Sequence, residues 1–376
     1  MMRTRDVEFG RGLMIFLKRT KMKPLTVYSM FDGISCGRIA LERAGLPVKQ
    51  YFTSEIDKYA SAISRCNWNT TELGDITKVN FNDLPKLSLI LCGAPCQDLS
   101  FAGYQKGFAE GTRSSLFFKL IECLENQEKR FGVKPKFIVE QVKMKKENLA
   151  IMENLLGVKG VMINSSNFSA QNRQRYYFCN FEIPEYQDKG ILLKDILEDG
   201  YTDREKSHCI DANYFKGGNL KSYFEKHRRQ LVFTGGAFRG RYNKDGSTSQ
   251  KLEIRKDSKS NALTTVRKDS LCIQIGEADL KGYDAIKRVY SAEGKAPTLT
   301  TCGGGHREPK VYVEPLKWRK LTPRECEALQ TVPRDYTAHG AEVGGKYKKI
   351  SNTRRYHALG NGWTVDVIAH LLKGLI

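Results

Sequence analysis

The sequence predicts an α/β protein: a doubly wound, mostly parallel sheet with helices on both faces, joined to a smaller β-rich domain. Three observations predict it. Short β-prone apolar runs alternate with helix-forming stretches from Leu25 to about Val139, the spacing that βαβ units need. Gly-rich or acidic turns close several of these runs, where ligands bind in such sheets. Beyond Pro184 the chain becomes rich in Gly, Lys, Arg, Ser and Thr, with short β-prone runs and no strong helical pattern.

Residues 1–24 read as a loose basic extension. Their one apolar run, Gly12 to Leu17, is too short to span a bilayer, and no small-residue cleavage site follows. Met14 and Met22 could also start translation, so part of this stretch need not belong to the folded unit. Leu25 to Met30 forms the first strand, Phe31 to Gly37 a Gly-rich turn, and Arg38 to Ala44 a helix. Tyr51 to Ser54 reads as a strand ending at Glu55, with a helix over Asp57 to Cys66. Leu87 to Cys92 is a buried strand, Leu116 to Glu128 a helix, and Phe137-Ile138-Val139 a further strand. Residues 186–315 form the β-rich module. Within it Asn261 to Thr265 and Ala296 to Thr301 echo each other, each ahead of a turn and a β-prone run. Thr322-Pro323-Arg324-Glu325 opens a helix, with Thr as cap and Pro in the first turn. Thr364 to Ile376 is apolar at helical spacing, so residues 316–376 return to complete the first domain, residues 25–185.

The 376 residues carry 62 Lys+Arg against 42 Asp+Glu, a net charge of +20. Such a balance points to a polyanionic partner, nucleic acid before all else. Ten scattered cysteines, many inside apolar runs, indicate small hydrophobes in a reducing compartment and no disulfide framework. The six histidines do not join them at zinc spacing, so no metal is expected. No membrane segment is expected, and the location is taken as cytoplasmic.

Four features fall at strand ends. In the first turn, Gly33 and Gly37 allow close backbone approach to a ligand or tight helix packing. Glu55 can accept hydrogen bonds from ribose hydroxyls, and Asp75, in Gly74-Asp75-Ile76, from an adenine amino group. Either acid alone could equally be a helix cap. Cys96 follows a buried strand in the Gly/Pro loop Gly93-Ala94-Pro95-Cys96-Gln97. A lone Cys is more often packing than nucleophile, but loop amides or a helix N-terminus here could lower its pKa. Cys92, four residues earlier and inside the strand, reads as core. Glu140 ends the Phe137 strand, where it could bind a base edge and share a proton with it. In Gln171-Asn172-Arg173-Gln174-Arg175 the two Arg face one way if the chain is extended, and their forks suit carbonyls, carboxylates or phosphates.

In this order the motifs resemble the cytosine-C5 DNA methyltransferase family across residues 25–376. Gly93-Ala94-Pro95-Cys96 is similar to the family's Gly-x-Pro-Cys motif, and Gln171, Arg173 and Arg175 to its Gln-x-Arg-x-Arg motif. Arg319 to Glu325 with Leu329-Gln330, and Gly360-Asn361-Gly362-Trp363-Thr364-Val365, resemble its later segments. Phe31-Asp32-Gly33-Ile34 and Ser115-Leu116-Phe117 look most like the branch holding the animal de novo enzymes and related phage or bacterial proteins. One motif departs: where the family has Glu-Asn-Val, this chain has Glu140-Gln141-Val142. That change bears on the rate and on the group transferred.

The resemblance implies a class I S-adenosylmethionine methyltransferase fold with a target-recognition domain over 186–315. It implies methyl transfer to carbon 5 of a flipped-out cytosine in duplex DNA, with Cys96 as nucleophile and Glu140, Arg173 and Arg175 as its catalytic company. The cofactor would contact Phe31, Asp32, Gly33, Ile34, Gly37, Glu55, Asp75, Ile76, Pro95, Leu116, Asn361 and Trp363. Lys216, Lys221, Lys226, Arg228, Arg229, Arg239 and Arg241 would neutralise phosphates, with Gly303-Gly304-Gly305-His306-Arg307 as a contacting loop. A monomer is implied, with a cognate restriction enzyme as a partner to seek. An RNA cytosine methyltransferase, a silent DNA-binding relative and a cysteine hydrolase are the competing readings. The nearest His to Cys96 in sequence is His208, which disfavours the last.

Overall fold

A computed structural model of the chain describes residues 22–95, 116–216, 220–233, 237–242, 248–253, 274–277, 288–291, 310–312 and 318–376. Its centre is a seven-stranded sheet in the order β3-β2-β1-β4-β5-β7-β6. β1 (Leu25–Met30), β2 (Val48–Ser54), β3 (Thr71–Glu72), β4 (Leu89–Cys92) and β5 (Lys136–Val142) run parallel. β7 (Gln174–Cys179) is antiparallel to both β5 and β6 (Gly160–Asn164).

β1 is buried on both faces, as a central parallel strand should be. Val27 joins the core under α1 (Cys36–Arg43), while Tyr28 and Met30 join the opposite core. The first core also takes in α2 (Lys58–Asn67), which starts at Asp57, whose side chain accepts from the Tyr59 and Ala60 amides. The second lies under α3 (Phe118–Phe131) and α4 (Lys146–Leu156). The mostly parallel, doubly wound sheet predicted from the sequence is therefore the observed one. β6, β7 and α4 were not read from the sequence.

Departures occur beyond Pro184. Leu193, Ile210, Tyr214 and Val232 are buried in the first core, so that core continues past residue 185. A short helix, α5 (Leu220–Lys226), stands where no helical pattern was read. The β elements here are β8 (Leu231–Phe233), the β9–β10 hairpin (Ala237–Tyr242, Thr248–Glu253), and the small sheet of β11 (Gln274–Glu277), β12 (Arg288–Ser291) and β13 (Lys310–Tyr312). β14 (Trp318–Lys320) pairs antiparallel with β8. The echoing segments at 261–265 and 296–301, the loop at 303–307 and the basic extension lie outside the described residues.

α6 (Pro323–Leu329) opens with the expected cap. Thr322 accepts from the Glu325 amide, and Glu325 accepts from the Thr322 amide at 2.7 Å. The hairpin of β15 (His339–Ala341) and β16 (Tyr347–Lys349) precedes α7 (Asn352–Asn361). α8 (Val365–Leu372) shares the first core with α1.

Candidate active site

The order of strands reverses between β1 and β4, so the loops after them flank a crevice at the carboxyl ends of the sheet. After β1 the backbone is left-handed at Phe31 (φ 58°), Gly33 (φ 60°) and Ser35 (φ 60°). At Phe31 and Ser35 this costs about 1 kcal/mol or more each. Side-chain bonds hold the turn. Asp32 accepts from the Ser35 hydroxyl and, at 3.0 Å, from Tyr51, while Ser35 also meets Ser64 at 2.6 Å. Burial pushes the Asp32 carboxyl up to about 6 despite these bonds. Asp32 thus braces the turn from below. The outer side of Gly33 is open, since an added Cβ would meet nothing within 4 Å.

Glu55, at the end of β2, accepts from the Gly33 amide at 2.8 Å through Oε2, and from the Ile56 and Asp57 amides through Oε1. It therefore ties two strand ends together and keeps acceptor capacity on Oε2. Ile56 beside it is 80% exposed, an apolar surface at the crevice that sequence reasoning missed. Asp75 accepts from the Thr77 amide and hydroxyl through Oδ1, which caps a short turn begun by buried Ile76. The crevice between these ends is lined by Asp32, Gly33, Thr53, Glu55, Ser64 and Gly74. A broader open groove, lined by Arg65, Cys66, Trp68 and Val343, lies towards the other end of α2.

β4 ends in Cys92, fully buried, its thiol pushed up to about 12 by desolvation. This is the packing cysteine the sequence reading expected. At Gly93 an added Cβ would lie 2.7 Å from Trp363 Nε1, so glycine there lets the indole settle on the loop. Gly37 is likewise occupied: its Cβ would strike Leu91 and Tyr51 at 2.5 and 2.9 Å, with Trp363 at 3.6 Å. Gly37 accordingly serves packing of α1, Tyr51 and Trp363. Pro95 is half-buried, and Cys96 lies outside the described residues.

Val139 pairs with Cys92, which places Glu140 level with Gly93. Glu140 is buried and meets Arg175 Nε at 3.0 Å through Oε1. Next to it the buried Gln141 donates its amide to the Ala94 carbonyl at 2.9 Å. Gln141 Oε1 is buried with no partner among the described residues. The Glu140-Gln141 pair thus holds one wall of the site and the lead-in to Cys96.

Arg173 goes elsewhere, which corrects the expectation of two arginines side by side. Its guanidinium donates to the Ile210, Gly360 and Gly362 carbonyls at 3.2, 3.4 and 3.1 Å. Gln171 accepts from the Ile210 amide at 2.8 Å and donates to Gln330 at 3.2 Å. Gln330 in turn donates to Leu359 and Gly362 and accepts from Thr364. The network fixes the turn carrying Asn361, which is exposed, and Trp363, which is buried. Tyr336, also missed, donates its hydroxyl to the Ile34 carbonyl at 2.7 Å. Leu116 is half-buried on the second core. Among the described residues no group of three or more His, Cys, Asp or Glu could hold a metal, and no helix is long and apolar enough to cross a membrane.

A reversed last strand on a parallel sheet, with a Gly-rich turn and acidic strand ends facing one crevice, defines a Rossmann-like class I methyltransferase architecture. Residues 25–376 match the model of the C-5 cytosine-specific DNA methylase family, and the chain belongs to that family. It is 33% identical over 363 residues to orphan methyltransferase M.Rho11sI of Bacillus phage rho11s, covering 78% of this chain and 70% of the relative. It is 27% identical to type II methyltransferase M.HhaI of Haemophilus parahaemolyticus, covering 95% and 96%. In fold it resembles the S. pombe Dnmt2 methyltransferase, with TM-score 0.51, 16% identity and coverage of 93% and 99%. The chain is a methyltransferase of this family, whose members use S-adenosylmethionine as methyl donor.

Proposed function

We propose that the chain is a DNA (cytosine-5-)-methyltransferase that modifies a flipped-out cytosine in duplex DNA through a covalent bond between Cys96 and carbon 6. The observation that supports this best is the convergence of Glu140, Arg175 and the Gly93-Ala94-Pro95 lead-in at one end of the sheet.

The crevice suits the cofactor. Gly33 leaves its outer side open, Glu55 Oε2 retains a lone pair for a ribose hydroxyl, and Asp75 can accept from an adenine amine. Exposed Ile56 offers an apolar face to the base, with Phe31, Ile34, Ile76, Pro95, Leu116, Asn361 and Trp363 completing the surroundings. Bound S-adenosylmethionine supplies an electrophilic methyl group for carbon 5. Carbon 5 of cytosine is a weak nucleophile, so covalent activation is needed. The Cys96 thiolate adds to carbon 6, and the electrons displaced make carbon 5 nucleophilic. Glu140 holds N3 and the exocyclic amine and provides the proton that N3 takes up. Arg175 keeps Glu140 in place and reaches the O2 carbonyl, while Arg173 acts through the loop it braces. Once carbon 5 carries the methyl group, a water molecule acting as base takes the carbon 5 proton, the carbon 5–carbon 6 double bond re-forms as Cys96 leaves as thiolate, and N3 returns its proton to Glu140. Extruding the base costs a few kcal/mol.

In this reading residues 25–185 with 316–376, joined by the core-forming Leu193, Ile210, Tyr214 and Val232, form the catalytic unit, the rest of 186–315 reads the target, and 1–24 are a basic extension. The protein acts as a cytoplasmic monomer, with a cognate restriction enzyme as a partner to test. Incubation with S-adenosylmethionine and duplex DNA, then mass spectrometry of the hydrolysed nucleosides, is expected to yield 5-methylcytosine. Transfer to RNA alone would replace the DNA reading. No modified nucleoside from either would leave a silent relative, and a different adduct mass would point to Gln141.

A further inference from the structure

Beyond the crevice, on the β2 side of the sheet, a cationic face stands apart from the residues that function has used so far. The β15–β16 hairpin lies along α2. An added Cβ on Gly340 would come within 3.0 Å of the Ala62 Cβ, and Arg65 donates to the Ala341 carbonyl at 2.5 Å. Residues 342–349 and 351–354 are all exposed. They carry Lys346, Lys348, Lys349 and Arg354 against a single carboxylate, Glu342. Glu342 pairs with Lys348 at 2.6 Å. Among the described residues, no carboxylate lies within ion-pair distance of Lys58, Lys346, Lys349 or Arg354.

Three of these cations gather on one ring. Arg354, Lys58 and Lys348 lie 4.3, 5.3 and 6.0 Å from the centroid of Tyr59, in the first turn of α2. A ring contact of this kind is worth about 0.5–1 kcal/mol when exposed. Like charges so close repel within a Debye length of about 8 Å at physiological salt. A face that keeps such charges together favours a polyanion that relieves the repulsion.

We propose that this face binds the phosphate backbone of the duplex to one side of the target base, as a second, sequence-independent DNA contact. The inference rests on the DNA reading above. Its position supports that partner. α2 starts at the carboxyl end of β2, and Glu140 lies two residues before the end of β5, with β1 and β4 between the two strands. Three strand spacings are roughly 14 Å, about four base steps of B-DNA. The phosphates reached are therefore those of flanking pairs, beyond the flipped base itself.

The test compares the wild-type protein with the triple variant Lys346→Ala/Lys349→Ala/Arg354→Ala, its fold checked by circular dichroism. Binding is followed by fluorescence anisotropy across a salt series on a duplex of about four helical turns and on one shortened to end about two base pairs past the target base on the side this face covers. On the longer duplex the variant is expected to bind about tenfold more weakly at low salt, with a log–log salt slope shallower by about 2–3. On the shorter duplex the two proteins should differ little. Glu342→Gln, which removes the one competing carboxylate, should tighten binding to the longer duplex. Equal affinity and slope on the longer duplex would overturn the proposal, as they would if the face served an acidic protein. Wild type that binds neither duplex would instead overturn the DNA reading itself.

Discussion

Gln171 and Arg173 disappear into a network that reaches the backbone at Ile210, Leu329, Gly360 and Gly362. Arg175, two residues on, ends beside Glu140. The two regions come from one short motif and are both buried, yet they differ in what they leave unused. Around Arg173 both terminal nitrogens are spent on carbonyls, and Nε alone is left without a partner among the described residues. Around Glu140, by contrast, neither Gln141 Oε1 nor Glu140 Oε1 has a hydrogen-bond partner among the described residues, Glu140 meeting Arg175 as an ion pair. Buried polar atoms are normally satisfied. Where capacity remains, a substrate or a neighbouring loop is the natural partner; where it is spent, the role is architectural.

Three substitutions test that contrast. Glu140→Gln should lower kcat by about 10²–10⁴, because it removes the proton supply to the base, while costing only about 1 kcal/mol of stability through the lost charge beside Arg175. Equal loss of stability and rate would merge the two regions. Arg173→Ala should do the reverse. Stranding the Ile210 and Gly360 carbonyls should cost about 3 kcal/mol in chemical denaturation, with kcat falling only as cofactor binding weakens. Gln141→Leu keeps the volume but deprives the Ala94 carbonyl of its donor. A stability loss of about 1–2 kcal/mol and a rate loss within about tenfold are expected, measured by denaturation and single-turnover transfer.

The smallest effect concerns pH. The folded-state value of Asp32, about 6, lies above its ordinary value of 3.8 because burial disfavours the charge. Its contribution to stability is therefore complete below about 4 and is lost as pH rises through about 6. Asp32→Asn should flatten the stability profile between those limits. An unchanged profile would show that the turn does not hold Asp32 in the buried state described.

Much of the fold could be read in the chain. β1 coincides with the predicted strand, and α2 (Lys58–Asn67) lies within a residue of the predicted helix over Asp57 to Cys66, because both depend on local pattern. The strand reversal at β7 could not be read, since its pairing with β5 and β6 is tertiary. α5 escaped because its Gly- and Lys-rich surroundings carry no apolar period. At the site, the motif order placed Glu140 and Arg175 together but could not separate Arg173 from them. That separation depends on Gly362, 189 residues away in sequence. Ile56 went unnoticed because a single apolar residue after an acid looks like any other until its exposure is seen.

The central claim is that Cys96 attacks carbon 6. It is tested most directly with duplex DNA containing 5-fluorocytosine and S-adenosylmethionine, resolved on a denaturing gel. Fluorine at carbon 5 cannot leave as a proton does, so wild type should remain covalently joined to DNA, and Cys96→Ala should not. No adduct with wild type that methylates ordinary duplex, or an undiminished adduct with Cys96→Ala, would contradict the account.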